Sequence, residues 1–326
     1  MLSFNGLFKK HKQGNAPVDV NAALLSETDI LDLRHRTQQR LSPLTHPYEV
    51  AHRQIGEMRS PYRGSGLDYE ESRAYQYGDE LRYVNWRLTA RTGDMMMKVF
   101  KEERRPTVFI LMDRRAGMRF GTRQRLKVSQ AARAATIAAF AGQLRNMSVS
   151  ALLLDEDFYW LDSRNGEQAI FDLINSMCAA CPPQFSTPAA GNKPVTLSNA
   201  LANLCQVLTP GTILYLISDF ADLYHTQRAQ LLQLAAQHSV QAIHIADPAE
   251  EKLPLAGKLN LFDPQMTAHE MLDTANQALR KQYEKSSREF FQQRADLFHL
   301  VNIPYRKIAT TCERIEDEML PAQSIR

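Results

Sequence analysis

The sequence predicts a doubly wound α/β protein with a mostly parallel sheet, preceded by a smaller irregular region that contains β-structure. Three observations lead there. Short runs that are apolar throughout, such as Val108-Phe109-Ile110-Leu111-Met112, mark strands buried on both faces. Helical patterns alternate with those runs, the arrangement of a parallel sheet with helices on both sides. Ahead of the first run, residues 60–103 are irregular and rich in Gly, Tyr and Arg.

Taken in order, residues 1–25 are polar, hold Gly and Pro, and read as a loose tail. Asp29-Ile30-Leu31-Asp32-Leu33 begins a helix, with Thr28 at the N-cap position, and the helix stops before Pro43. The segment Ser60–Glu103 suits short strands and turns, with Met95–Phe100 as one strand. Thr107–Met112 is the first buried strand, and Leu126–Leu144 is an Ala-rich helix. Val149–Leu154 is the second strand. Gly166–Cys178 is helical, with Ile170, Leu173, Ile174 and Met177 on one face. Leu197–Leu208 is another helix. Thr212–Ile217 is the third strand, Gln227–Gln237 a helix, and Val240–Ile245 the fourth strand. Leu272–Leu300 reads as one long polar helix, and Tyr305–Ala309 as a last edge strand. The expected organisation is a tail at 1–25, an N-terminal helix plus Arg/Tyr/Gly-rich region at 26–105, the α/β domain at 106–250, and a C-terminal extension at 251–326.

Composition narrows the class. At 326 residues, 44% hydrophobic and 23% charged, the chain has the make-up of a globular protein with a sizeable core. A net charge of +3 does not by itself imply a nucleic-acid partner. The charge is uneven, however, with 18 Lys/Arg against 10 Asp/Glu between Arg53 and Arg133. No apolar run is long enough to span a bilayer, and Lys9-Lys10 is followed by no apolar signal core, so the expected location is the cytoplasm. Four cysteines suit a reducing compartment. Cys178-Ala-Ala-Cys181 has redox-motif spacing, but a lone pair supplies no tetrahedral zinc set; small residues closing a helix before Pro182 is the favoured reading.

The most specific stretch is Gly78-Asp79-Glu80-Leu81-Arg82-Tyr83-Val84-Asn85-Trp86-Arg87, followed by Ala90-Arg91-Thr92-Gly93. Arg59-Ser60-Pro61-Tyr62-Arg63-Gly64-Ser65-Gly66-Leu67-Asp68-Tyr69 precedes it, and the apolar run ending on Asp113 follows it. Together with Asp247-Pro248-Ala249-Glu250-Glu251-Lys252-Leu253-Pro254, this ordered series resembles the bacterial "domain of unknown function 58" family. The resemblance runs from about Arg59 to Asp247. It implies a von Willebrand factor A-like, Rossmann-type domain and, as partner, a MoxR-type AAA+ ATPase whose clients such a protein would recruit.

Ligands of open parallel sheets bind beyond the carboxyl ends of the strands. Asp113 and Asp219 each sit just past such an end, and Thr196 precedes the helix that starts near Leu197. Their oxygens suit a hard cation such as Mg²⁺. In von Willebrand A-like domains the metal-ion adhesion site has Asp-x-Ser-x-Ser, then Thr, then Asp. Asp113, Thr196 and Asp219 match, but Arg115 and Gly117 stand where the serines belong. An Arg carries five donors and no acceptor, so it cannot ligate a cation. The expectation is that Arg115, or Arg114, is a built-in cation and the degenerate site holds no metal; the plainer alternative turns both arginines to solvent.

In the signature block, Arg63, Gly66, Arg73, Gly78, Asp79, Arg82, Trp86 and Arg91 are singled out. Asp79 is placed to cap a helical turn, and Trp86 to pack inward. The arginines, Arg87 among them, form either an ion-paired scaffold, favoured because carboxylates are plentiful nearby, or a docking surface. Lys127, opening a helix after Arg123 and Arg125, offers an anion site or a solvated helix start. Gly-x-Ser-x-Gly, His-Glu-x-x-His and Walker motifs are absent from the sequence. The leading expectation is therefore a non-catalytic binding protein. A nucleic-acid-binding protein using residues 53–133 is the second reading, and an enzyme with an unrecognised site on the strand-end rim the third.

Overall fold

The computed structural model describes residues 23–41, 68–77, 79–101, 107–181, 195–263 and 268–320. Two compact units divide the chain: residues 46–105, and the remainder formed by 1–45 with 106–326. The expected N-terminal helix and the 251–326 extension thus belong to the α/β unit, where the sequence division had set them apart.

In chain order the larger unit opens with α1 (Glu27–Leu41). It resumes with β3 (Thr107–Asp113), α3 (Lys127–Gln143), β4 (Ser148–Leu154), β5 (Phe158–Arg164), α4 (Glu167–Met177), α5 (Leu197–Val207), β6 (Ile213–Ser218), α6 (Arg228–Gln237) and β7 (Ser239–Ala246). It closes with α7 (Pro248–Glu251), the hairpin β8 (Lys258–Asp263) and β9 (Ala268–Asp273), α8 (Gln277–Leu300), β10 (Tyr305–Ala309) and α9 (Ile315–Met319). Six strands form one sheet in the order β10-β7-β6-β3-β4-β5, parallel except for the antiparallel β5. The fold is α/β with a mixed, mostly parallel central sheet.

Strand alternation builds the core on both faces. Val108, Ile110 and Met112 of β3 join one buried cluster with α1, α3 and α4. Phe109 and Leu111, on the other face, join a second with α5, α6 and α8. Burying each such side chain contributes about 1.5–3 kcal/mol. Helix α3 is buried over most of its circumference because its alanines let it lie close to the sheet. A Cβ on Gly142 would sit 2.9 Å from Cγ2 of Val108 and 3.0 Å from that of Val149. Helix α1 packs on α3 through Ile30 and Leu33.

Several expectations are corrected. The cap of α1 is Ser26: its Oγ accepts from the Asp29 amide at 3.2 Å, and Asp29 accepts from the Ser26 amide at 3.1 Å. Leu25, assigned to the tail, is buried; residues 1–22 lie outside the described residues. The long helix begins at Gln277, capped by Asn276, because residues up to Asp273 pair in the β8–β9 hairpin. Strand β5 was not anticipated. Among the described residues no helix is long and apolar enough to cross a membrane.

The smaller unit holds β1 (Asp68–Ala74), α2 (Trp86–Thr92) and β2 (Met96–Lys101), with β1 and β2 antiparallel. The expected turn is a short 3₁₀ segment, Leu81–Tyr83, with Glu80 rather than Asp79 at its N-cap position and no side-chain cap, while Asp79 accepts from the Gln76 amide at 2.9 Å. Helix α2 is capped by Asn85, which accepts from the Leu88 amide at 3.3 Å. Gly93 ends the helix at φ 84°, a conformation suited to glycine. Trp86 is exposed, contrary to the inward packing expected of it, because it occupies the first turn of α2 while Val84 and Met97 make the buried contact.

Candidate functional site

Each of four neighbouring parallel strands delivers an aspartate at its carboxyl end: Asp113 closes β3, and Asp155, Asp219 and Asp247 directly follow β4, β6 and β7. All four are buried. A buried carboxylate requires a cation or several donors, and each of these has its own answer.

Asp113 is held by Arg115. Its Oδ1 accepts from the Arg115 amide at 3.1 Å and from Nε at 3.0 Å, and its Oδ2 from Nη2 at 2.7 Å. The Ser218 hydroxyl donates to the same Oδ2 at 2.6 Å. The guanidinium continues to Asp222, with Nη1 2.7 Å from Oδ2 and Nη2 2.9 Å from Oδ1, and reaches the Val195 carbonyl at 3.3 Å. Asp222 Oδ2 in turn accepts from the Leu197 amide, at the start of α5, at 2.9 Å. Burial works to raise the Asp222 carboxyl; the hydrogen bonds and charge of Arg115 outweigh it and hold it below the usual range.

The turn that presents Asp222 is itself unusual. Phe220 has φ 49°, a left-handed conformation that costs a non-glycine residue about 1–3 kcal/mol. It persists because its amide donates to Ser218 Oγ at 2.9 Å and its carbonyl accepts from Arg294 Nε at 3.3 Å. Its ring is wedged edge-on against Phe298, with centroids 4.9 Å apart.

Asp219 turns to Lys127, whose Nζ lies 2.8 Å from Asp219 Oδ2 and 2.6 Å from Glu250 Oε1. Burial works to raise the Asp219 carboxyl, and the Lys127 ammonium overrides it, holding it down to about 2. Glu250 moves the other way: burial raises it, the Lys127 ammonium only partly offsets that rise, and the Asp219 charge adds to it. Asp155 is paired with Arg119 and lies 3.3 Å from Nε of Arg114. Arg114 also donates to the carbonyls of Met177, Ala179 and Ala180 at 3.2, 3.0 and 3.1 Å, just past α4.

Asp247 accepts from the amides of Thr122 and Ala249 at 2.9 and 3.0 Å, from the Thr310 hydroxyl at 2.9 Å, and from the Thr122 hydroxyl. Gly121, beside Thr122, lets this loop close tightly on itself: a Cβ there would stand 2.3 Å from the Arg125 carbonyl oxygen.

The structure therefore joins Asp113 with Arg115 as expected, but adds Asp222 and Ser218, which the sequence reading passed over. Asp219 is directed to Lys127, not to Asp113. Thr196 caps α5, its Oγ1 accepting from the Asn199 amide at 3.2 Å. Gly117 lies in a short 3₁₀ turn, Ala116–Met118. The alternative that turned both arginines to solvent is overturned: Arg114 is buried, and the Arg115 side chain is only 20% exposed. The anion at Lys127 is the chain's own carboxylates. In the signature block, Arg73 grips Asp79 through two bonds of 2.8 and 2.6 Å, and Arg82 pairs with Glu80. Arg87 and Arg91 are exposed, while Arg63, Gly66 and Gly78 lie outside the described residues.

Fold and rim define an α/β protein whose sheet ends in a row of internally paired carboxylates. The family described as "Protein of unknown function DUF58" matches residues 71–293, and the chain belongs to it. Uncharacterized protein Rv1480 of Mycobacterium tuberculosis (strain ATCC 25618 / H37Rv) is 27% identical over 252 residues, covering 77% of each chain. Uncharacterized protein Mb1516 of Mycobacterium bovis is similar to the same extent, 27% over 252 residues and 77% of each chain. Among solved structures, conserved hypothetical protein BatB from Bacteroides thetaiotaomicron is 13% identical, covering 60% of this chain and 99% of that one at a TM-score of 0.37. An aerotolerance-related membrane protein from Bacteroides fragilis NCTC 9343, carrying multiple mutations to serines, is 13% identical, covering 63% and 92% at 0.38.

Proposed function

We propose that the chain is a von Willebrand A-like binding module that acts without catalysis as an adaptor or co-factor protein for a MoxR-type AAA+ ATPase and its client proteins. One observation carries the reading. Arg115 ties the loop after β3, the segment before α5 and the loop after β6 into a single fixed surface at the end of the sheet where α/β proteins bind ligands. A rim whose charged groups are already paired with one another favours recognition by a preformed shape over proton transfer, which needs a group within reach of substrate. The order Asp113, Thr196, Asp219 supports the von Willebrand A-like assignment, and Arg115 and Gly117 mark the site as degenerate.

Direct binding tests it. The purified protein is immobilised, and a purified MoxR-type AAA+ ATPase from the same genome is passed over it with ATP. Saturable binding is expected, weakened about tenfold or more by Asn199→Arg, an exposed position in the first turn of α5. A folded wild-type protein that binds no such ATPase sinks the reading.

A further inference from the structure

We infer that Arg115 is a tethered counter-ion, filling the place at the sheet's carboxyl end that an oxygen-coordinated divalent cation would otherwise take, so that the rim is held together without metal. The inference deepens the von Willebrand A-like reading and rests on it for what the site descends from; the occupancy stands on this chain's own contacts.

A guanidinium has five N–H donors. Arg115 makes five side-chain bonds: Nε to Asp113 Oδ1, Nη2 to Asp113 Oδ2 and Asp222 Oδ1, and Nη1 to Asp222 Oδ2 and the Val195 carbonyl. Every acceptor is oxygen, two of the groups are carboxylates, and the Ser218 hydroxyl stands against one of them. That donor set is the chemistry of a hard cation. The position, however, is taken by a positive group joined to the chain two residues beyond Asp113. An entering ion would have to displace it from both carboxylates at once. Gly117 brings no side-chain oxygen, and Asp219 is committed to Lys127. Among the described residues no three His, Cys, Asp or Glu side chains are grouped to hold a metal ion. The three loops are thus locked together whatever the supply of divalent cations.

The test compares wild type with Arg115→Ser in thermal melting and in calorimetric titration with Mg²⁺ or Mn²⁺. Wild type should melt at one temperature in chelator and in millimolar Mg²⁺, and give no binding heat. Arg115→Ser should melt lower in chelator, rise when Mg²⁺ is added, and show a saturable heat that Asp113→Asn abolishes. Wild-type binding heat that Asp113→Asn removes overturns the inference. So does a folded Arg115→Ser that is indifferent to both metals. If Arg115→Ser does not fold in chelator, it is refolded with and without Mg²⁺: recovery with the metal supports the inference, and none overturns it. Failure of the ATPase to bind, with these melting results as expected, would remove the adaptor reading and leave the metal-free rim standing.

Discussion

Lys127 and Asp219 are 92 residues apart in sequence, yet Nζ of the one lies 2.8 Å from Oδ2 of the other, with the lysine side chain only 2% exposed. The pair joins the start of α3 to the end of β6. Breaking a buried pair from one side leaves an uncompensated charge, at a cost of about 3–5 kcal/mol. Lys127→Met is therefore expected to destabilise the protein by that order in denaturant unfolding. The double variant Lys127→Met/Asp219→Leu should lose less than the sum of the two single-variant losses, because only Glu250 is then left without its cation. A double variant that loses the full sum of the two single losses would show that the pair is not coupled.

Acid should act through the same residue. The Asp219 carboxyl is held at about 2 in the fold against a usual 3.8. A depressed folded value means stabilisation that is complete above about 3.8 and lost as pH falls towards about 2, on the order of 2 kcal/mol. Asp222, also depressed, adds to the loss in the same direction. Glu250 has the opposite sign: its raised value means that taking up a proton favours the fold as pH falls towards its usual 4.5. The stability gap between wild type and Asp219→Asn should thus be constant near neutrality and shrink only below about pH 4. A gap unchanged down to about pH 2 would contradict the Lys127 pairing.

Asp247 tests a different kind of carboxylate. It is wholly buried and bonded to two hydroxyls and two amides, gathering the loop after β3, the start of α7 and the end of β10. Asp247→Ala would strand those donors, each buried and unsatisfied one costing about 1–3 kcal/mol. A loss of about 3 kcal/mol or more is expected, and Thr310→Val, which removes one hydroxyl, should cost clearly less. Equal losses from the two variants would mean that Asp247 does not organise the site.

How much of this was legible follows from what each element asks of its sequence. Strands β3, β4, β6 and β7 are buried on both faces, so Val108–Met112 and its counterparts must be apolar throughout and stand out. Strand β5 is an exposed edge; Tyr159, Trp160 and Asp162 face solvent and leave neither a continuous apolar run nor a clean alternation. Asp113 and Asp219 were readable from their places at strand ends, and Arg115 from standing where the resembled adhesion site has a serine. Asp222 was not, because its role depends on the left-handed turn at Phe220, which no local preference of phenylalanine announces. Lys127 looked like a basic helix start in search of an anion. That the anions were Asp219 and Glu250 is decided by strand order, which one sequence does not disclose. Trp86 misled because hydrophobicity alone was taken to mean burial, whereas large apolar side chains are often exposed singly.

The Cys178–Cys181 pair gives a last prediction. Both thiols are free, and Cys178 is buried at the end of α4, its Sγ 3.9 Å from the Thr136 hydroxyl. Burial pushes the Cys178 thiol up to about 11, so little thiolate, the reactive species, forms near neutrality. Burial raises Cys181 too, against the opposing charge of Arg114, whose guanidinium bonds to the Ala179 and Ala180 carbonyls between the two cysteines. Iodoacetamide at about pH 8, followed by mass spectrometry, should therefore modify Cys178 only on unfolding, with Cys205 and Cys312, both partly exposed, reacting first. Rapid labelling of Cys178 in the folded protein would mean that the turn held by Arg114 opens readily. Arg114→Ala, which releases those carbonyls, should speed the labelling of Cys181 more than that of Cys205.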